Sequence, residues 1–156
     1  EALRSGTVTG RRAGNEDLDT LTAWGVAYNV EALGAQESPE LWANRRQDAA
    51  DSIDEGHVWI LEQEGAPVAM SGFNTAIEEA VQVGGVYTPP EHRRRGYARS
   101  VVAASLLDAR AEGASQAILF TGIENVPAQR AYTALGFRAI GDYRILLLRE
   151  PVSAPV

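Results

Sequence analysis

Two adjacent prolines, Pro89 and Pro90, stand between an apolar run and a long helical pattern, and they constrain this chain more than any other feature. The run Val83 to Thr88 is β-rich, and neither proline can donate to a sheet ladder, so a strand must end at a bend. Beyond the bend, Val101, Val102, Ser105, Leu106 and Ala109 recur at the three-and-four spacing of a helix with one buried face, beginning near Gly96. The order is strand, turn, helix. The turn reads Arg93-Arg94-Arg95-Gly96-Tyr97-Ala98, which combines the unpaired amides of a helix start with positive side chains and small residues. Those are the requirements of a phosphate seat. At Gly96 and Ala98 a larger side chain would hold an anion off the backbone, and the arginines add charge-assisted contacts at the rim. An isolated R-x-x-G-x-A string reads equally well as a solvated arginine cluster. The strand before it and the helix after it favour the seat.

The rest of the chain alternates helical and extended patterns. Thr7 to Arg12 is a short first strand bounded by glycines. Asn15 is placed to cap a helix, with Glu16 and Asp17 in its first turn and Leu18, Leu21, Trp24 and Tyr28 as its apolar stripe, stopping at Gly34. Ser38-Pro39 starts a second helix whose inner face is Leu41, Trp42, Ala49 and Ile53 and which ends at Gly56. His57 to Glu62 and Pro67 to Ile77 pair as a hairpin, and Glu78-Glu79 connects to the strand ending at Thr88. Ala117 to Gly122 is a further strand. Ala128, Ala131, Tyr132 and Leu135 share a face of a short helix, and Tyr143 to Leu148 supplies a last strand before a frayed tail, Pro151 to Val156. Periodicity by itself says mixed α/β.

Composition narrows the chemistry. A length of 156 residues suits one domain with a sizeable core, and no stretch approaches the ~20 apolar residues of a membrane span. The N-terminus lacks a signal pattern, so a cytoplasmic location is the expectation. A net charge of −7 disfavours a nucleic-acid binder and leaves the arginine cluster as a local exception, suited to a small anion. There are no cysteines, which excludes disulfides and a Cys nucleophile, and the two histidines, His57 and His92, do not suggest a metal centre. All 14 basic residues are Arg, so lysine self-acetylation is excluded too.

Arg93 to Ala98 resembles motif A of the GCN5-related N-acetyltransferase (GNAT) superfamily, Q/R-x-x-G-x-G/A after the fourth strand. A second segment, Asn125-Val126-Pro127-Ala128-Gln129-Arg130-Ala131-Tyr132-Thr133-Ala134-Leu135-Gly136-Phe137, resembles its motif B, an Asn followed by a short helix with Tyr and ending in L-G-F. The resemblance covers residues 57 to 149 well, and the first third only in layout. It implies a mixed central β-sheet flanked by about four helices, with the fourth and fifth strands splayed around acetyl-CoA. Residues 1–156 then form a single acetyltransferase domain; the chain opens on Glu1 and not on Met, which leaves room for a segment upstream.

By the same resemblance, backbone groups of Val86, Tyr87 and Thr88 hold the pantetheine arm, and Arg93, Arg94, Arg95, Gly96, Tyr97 and Ala98 hold the diphosphate. Asn125 contacts the pantetheine amides, caps the short helix, or does both. Tyr132 is aimed at the thioester sulfur as general acid, a role its ordinary pKa of about 10 permits at neutral pH. A primary amine, on a small molecule or a peptide, attacks the acetyl group directly. The Glu that assists on the fourth strand of several members is missing: the count back reaches Gln82 or Val83, and Glu78 and Glu79 read as solvated turn residues more readily than as bases acting through water. Glu31, among Trp24, Tyr28, Trp42 and Asp48, is the candidate contact for a cationic acceptor, although core packing explains the aromatics as well. The competing expectation is a non-catalytic acyl-CoA-binding module, favoured by the missing Glu. No metal, nucleic acid or membrane partner is expected, and the oligomeric state, a dimer included, is left open.

Overall fold

The computed structural model describes residues 6–143. The predicted hairpin is present: β2 (Val58–Gln63) turns through Glu64-Gly65 into β3 (Ala66–Ile77), and Gly65 takes the positive φ (79°) that the tight turn demands. Around it, β1 (Thr9–Arg12), β4 (Ala80–Tyr87) and β5 (Gln116–Leu119) complete a sheet in the order β1-β2-β3-β4-β5. The first three pairings are antiparallel and β4–β5 is parallel, because the chain crosses between those two through a helix. That crossover is α3 (Tyr97–Ala111); α1 (Leu18–Leu33) and α2 (Pro39–Asp54) precede the hairpin, and α4 (Val126–Thr133) follows β5. The mixed sheet with four helices is the expected architecture. The last expected strand, Tyr143 to Leu148, falls outside the described residues after Tyr143, which is itself not in a strand.

Strand alternation divides the core between two faces. On one, Trp59, Leu61, Ala69, Phe73, Val81 and Val83 pack under Val101, Val102 and Ala109 of α3, as the helical spacing predicts. Trp59 lies 4.6 Å from Phe73 ring to ring, and its buried indole N–H donates to Asp108 Oδ2 at 2.7 Å, which satisfies the polar end of a fully buried aromatic. On the other face Val58, Ile60, Met70 and Tyr87 pack under Leu21, Trp24 and Tyr28 of α1, with Ile53 of α2.

Three expectations are corrected. Asn15 does not cap α1: residues 15–17 form a 3₁₀ turn, and Asp17 folds back to accept the Gly14 N–H at 2.9 Å. The stronger acceptor wins because Arg11 neutralises it, donating at 2.6 and 2.9 Å. Trp42 does not face the core. The inner stripe of α2 runs Leu41, Arg45, Ala49, Ile53, at intervals of four, so Trp42 lies about 100° off it, 40% exposed, with its indole N–H on Glu37. Arg45 takes the inner place because Gly25 of α1 has no side chain: the Arg45 stem lies 3.5–3.7 Å from where a Cβ would be. Finally, β5 stops at Leu119, three residues before the expected Gly122. Gly34 (φ 68°) ends α1 and Ser38 caps α2 through the Leu41 N–H, both as predicted. Among the described residues, no helix is long and apolar enough to cross a membrane.

Candidate functional site

The opening between β4 and β5 follows from their register. The last parallel pair is Val83 with Leu119; β5 ends there while β4 runs four residues further to Tyr87. From Gly84 onward the β4 edge turned away from β3 therefore has no strand partner among the described residues. A bulge reinforces the parting. Met70 pairs with Tyr87 and Gly72 with Gly84, so one residue of β3 faces two of β4, and Gly85 absorbs the extra residue at φ 59°. Gly85, free to take that positive φ, is the local reason that bulge forms without strain.

At the top of β4 the prolines impose a short 3₁₀ turn (residues 90–92) before α3. Arg94 and Gly96 both adopt positive φ, 63° and 82°. Gly96 is the N-cap of α3 and offers no side chain to cap it; the first intrahelical bond runs from the Ser100 N–H to the Gly96 carbonyl at 3.0 Å. The amides of Tyr97, Ala98 and Arg99 precede that bond and point out of the helix end, with the positive end of the helix dipole behind them. Arg94 and Arg95 are exposed at the rim, whereas the Tyr97 side chain turns inward, 6% exposed, with its hydroxyl on Gln63. Arg99, which the sequence reading passed over, folds back until a terminal nitrogen lies 3.8 Å from the position of a Gly96 Cβ. Its i+3 spacing from Gly96 was the available signal.

Arg93 has a different engagement. Its guanidinium meets Glu31 with two parallel contacts of 2.6 and 2.7 Å, and its Nε donates to the Thr88 carbonyl at 3.0 Å. The hydrogen bond to Arg93 holds the Glu31 carboxyl below the usual carboxylate range. Neither residue is thus the free group that the sequence reading asks for; they tie the end of α1 to the end of β4. Arg93 also lies over the Tyr87 ring, 5.9 Å to its centroid, and burial pushes the Tyr87 phenol up from its ordinary value. Beside this tie, Thr88 Oγ1 and His92 Nδ1 are buried atoms without a partner.

On the far side of the opening, Asn125 caps α4: its Oδ1 accepts the Ala128 N–H at 3.2 Å, which leaves the Nδ2 protons for other contacts. Gln129 braces the loop from β5 by donating to the carbonyls of Gly122 and Ile123. Tyr132 is half-buried against the α3 face of the core, edge-on to Phe137 at 6.1 Å. Burial pushes its phenol up to about 12, and Tyr28 of α1 is near enough to contribute to that shift. Val86 packs toward α3 and Tyr87 toward α1, so consecutive residues of β4 line both sides.

The acid-bearing turn Glu78-Glu79 lies at the other end of β4. The Glu79 carbonyl accepts from Ser115 and Gln116 at the start of β5, and five residue steps separate Glu79 from Gly84, where the opening begins, roughly 16 Å at 3.3 Å each. Those carboxylates cannot serve the opening even through one water. Gln82 is paired with Thr75, and Val83 is buried under α3. Among the described residues no cluster of three or more His, Cys, Asp or Glu is placed to hold a metal ion.

An uncapped helix end next to two parallel strands that part is an arrangement within a fold that known proteins share. The solved structure of a GCN5-related N-acetyltransferase from Ralstonia eutropha superimposes with a TM-score of 0.68 at 20% identity, over 90% of this chain and 98% of that one. A predicted acetyltransferase from Clostridium acetobutylicum, solved with acetyl-CoA, gives 0.67 at 15% identity, over 90% and 96%. Human N-acetyltransferase 8 is 34% identical over 89 residues, which are 54% of this chain and 39% of the human protein. The matched segment therefore spans about two fifths of that relative. The family model described as "Acetyltransferase (GNAT) family" matches residues 19–137, from the start of α1 through Phe137. This chain belongs to the acetyltransferase (GNAT) family.

Proposed function

We propose that the chain is an acetyl-CoA-dependent N-acetyltransferase that acts on a primary amine by direct attack, within a single domain. The observation that carries this reading is the hand-over at the top of β4, where a strand edge left unpaired after Val83 among the described residues leads into a helix whose first amides have no side-chain cap there. The residues fit the co-substrate. The β4 edge turned away from β3 at Val86 and Tyr87, with Thr88 beyond it, suits the pantetheine arm, the amides of Gly96, Tyr97 and Ala98 suit the diphosphate, and Arg94, Arg95 and Arg99 supply positive charge around it. Asn125 adds its free Nδ2 to the arm. Arg93 and Glu31 act on this site through each other and not by touching the ligands.

When bound, acetyl-CoA supplies a thioester carbonyl open to an amine. Tyr132 keeps its proton on Oη far above neutral pH, since burial has raised its pKa to about 12. It is therefore always available as a donor to the leaving sulfur. Thiols have pKa values near 8.5, so the phenol serves as a hydrogen-bond donor through bond breaking more than as a group that ends as phenolate. With Gln82 and Val83 in place of a carboxylate, the amine's proton passes to solvent.

Calorimetric titration tests the seat. Acetyl-CoA should bind saturably, and Ala98→Glu should weaken it by at least about tenfold, because the new carboxylate satisfies the helix amides itself and repels the diphosphate; thermal stability should hold or rise slightly. No saturable heat with the wild-type chain would sink the whole reading. Tyr132→Phe decides between enzyme and binding module: CoA release with a panel of amines should fall by about 10²–10⁴-fold at unchanged acetyl-CoA affinity. An unaffected rate removes Tyr132 from the mechanism, and no release from any amine favours the module.

A further inference from the structure

The vertex of the β4–β5 opening carries a side chain that no motif names. β3 has a bulge of its own: Phe73 pairs with Val83 and Thr75 with Gln82, so Asn74 is the unpaired extra residue and is re-aimed by the kink. Its carboxamide lies over Gly84, with Oδ1 2.1 Å and Nδ2 2.4 Å from the point that a Gly84 Cβ would occupy. Gly84 is the first β4 residue beyond the last pair with β5. Since Val83 faces α3, Gly84 and the Asn74 amide face the α1 side, where the opening meets solvent and Asn74 is exposed. Two bulges and a missing side chain thus place one neutral, donor-bearing group at the point where the strands part.

We propose that Asn74 is a catalytic residue of this site: its Nδ2–H donates to the acyl carbonyl oxygen of the thioester. The inference rests on the function proposed above. With the diphosphate at the start of α3 and the arm running back along β4, the thioester is the end of the ligand furthest from Gly96 and nearest the vertex. Attack by an amine moves charge onto the carbonyl oxygen, and a fixed amide donor at that position stabilises it. The Asn74 amide carries two such protons and no charge of its own, so it supplies electrophilic assistance where the strand offers no carboxylate to act on the amine. Gly84 is then needed for a specific reason: any side chain there expels the carboxamide.

The test compares acetyl-CoA with CoA, which differ only in the acyl group. In calorimetric titrations wild-type protein should bind acetyl-CoA roughly three- to tenfold more tightly than CoA, the worth of one hydrogen bond, and Asn74→Ala should bring the ratio to about one by weakening acetyl-CoA only. Gly84→Ala should do the same with Asn74 intact, because its Cβ meets only the movable end of a side chain and the strand has no positive φ at that residue. The double substitution should add nothing to either. In ¹⁵N spectra the Asn74 side-chain amide, identified by its loss in Asn74→Ala, should shift with acetyl-CoA well beyond its shift with CoA. A wild-type ratio of one, a ratio unmoved by both substitutions, or equal shifts with the two ligands overturns the proposal. Failure of CoA itself to bind overturns the cofactor seat, which is a separate result.

Discussion

Single atoms decide several positions in this protein. Gly10 of β1 lies so close to α3 that an added Cβ would come within 2.3 Å of the Ala104 Cβ, well inside the contact distance of two methyl carbons. The backbone at Gly10 has no positive φ, so the demand for glycine is one of space and not of conformation. Gly10→Ala should therefore destabilise the fold by about 1–3 kcal/mol through overpacking. The partner decides whether that explanation holds. Ala104→Gly in the same chain removes the colliding methyl at a helix-propensity cost of about 1 kcal/mol, so the double substitution should be clearly less damaging than the two single costs added. Urea denaturation of the four proteins measures the coupling; strict additivity would mean that the strand and helix do not touch there. The residue scale is also where the sequence hid most. What Gly10, Arg45 and Asn74 each touch lies on another element, and no local pattern names that neighbour.

At the scale of elements, the strand–turn–helix elbow was legible because every signal in it is local: two prolines, a left-handed glycine and a helical stripe, all within about twenty residues. The tie that steadies the elbow was not, since Glu31 and Arg93 are 62 residues apart. A sequence assigns Arg93 to the nearest chemistry, the phosphate seat, and Glu31 to the nearest vacancy, the acceptor. The two roles separate by experiment. Both side chains are close to half exposed, so the pair adds at most about 1 kcal/mol to stability, and its effect should appear in the shape of the site. If Arg93 orders the end of β4 through Glu31 and the Thr88 carbonyl, Arg93→Gln and Glu31→Gln should each weaken acetyl-CoA by a similar factor, roughly two- to fivefold, and the double substitution by no more than either. A direct contact between Arg93 and the diphosphate predicts instead that Arg93→Gln costs far more than Glu31→Gln. Titration calorimetry at low salt distinguishes them.

For the molecule as a whole, the Arg11 cluster joins the first strand, the entrance to α1 and the hairpin. Arg11 donates to Asp17 and to Glu62 at 2.6–2.9 Å, and Asp17 in turn accepts the Gly14 N–H. Asp17 is buried, 4% exposed, and the hydrogen bonds from Arg11 hold its carboxyl below the ordinary aspartate value while raising the guanidinium. The sign of the linkage follows. A carboxyl with a lowered folded pKa binds its proton more readily in the unfolded chain, so its contribution is complete above the unfolded value of about 3.9 and is lost as pH falls through the lower folded one. Asp17→Asn keeps the volume but not the charge. It should cost about 1.5–3 kcal/mol at pH 7, the range for hydrogen bonds to an ionised group, and progressively less as pH drops below 4. The gap between the two denaturation midpoints should narrow as pH falls below 4. A gap that stays constant from pH 7 to pH 2 would show that Asp17 acts as a neutral hydrogen-bonding group, and that the acid sensitivity of a chain with 21 carboxylate side chains comes from elsewhere on its surface.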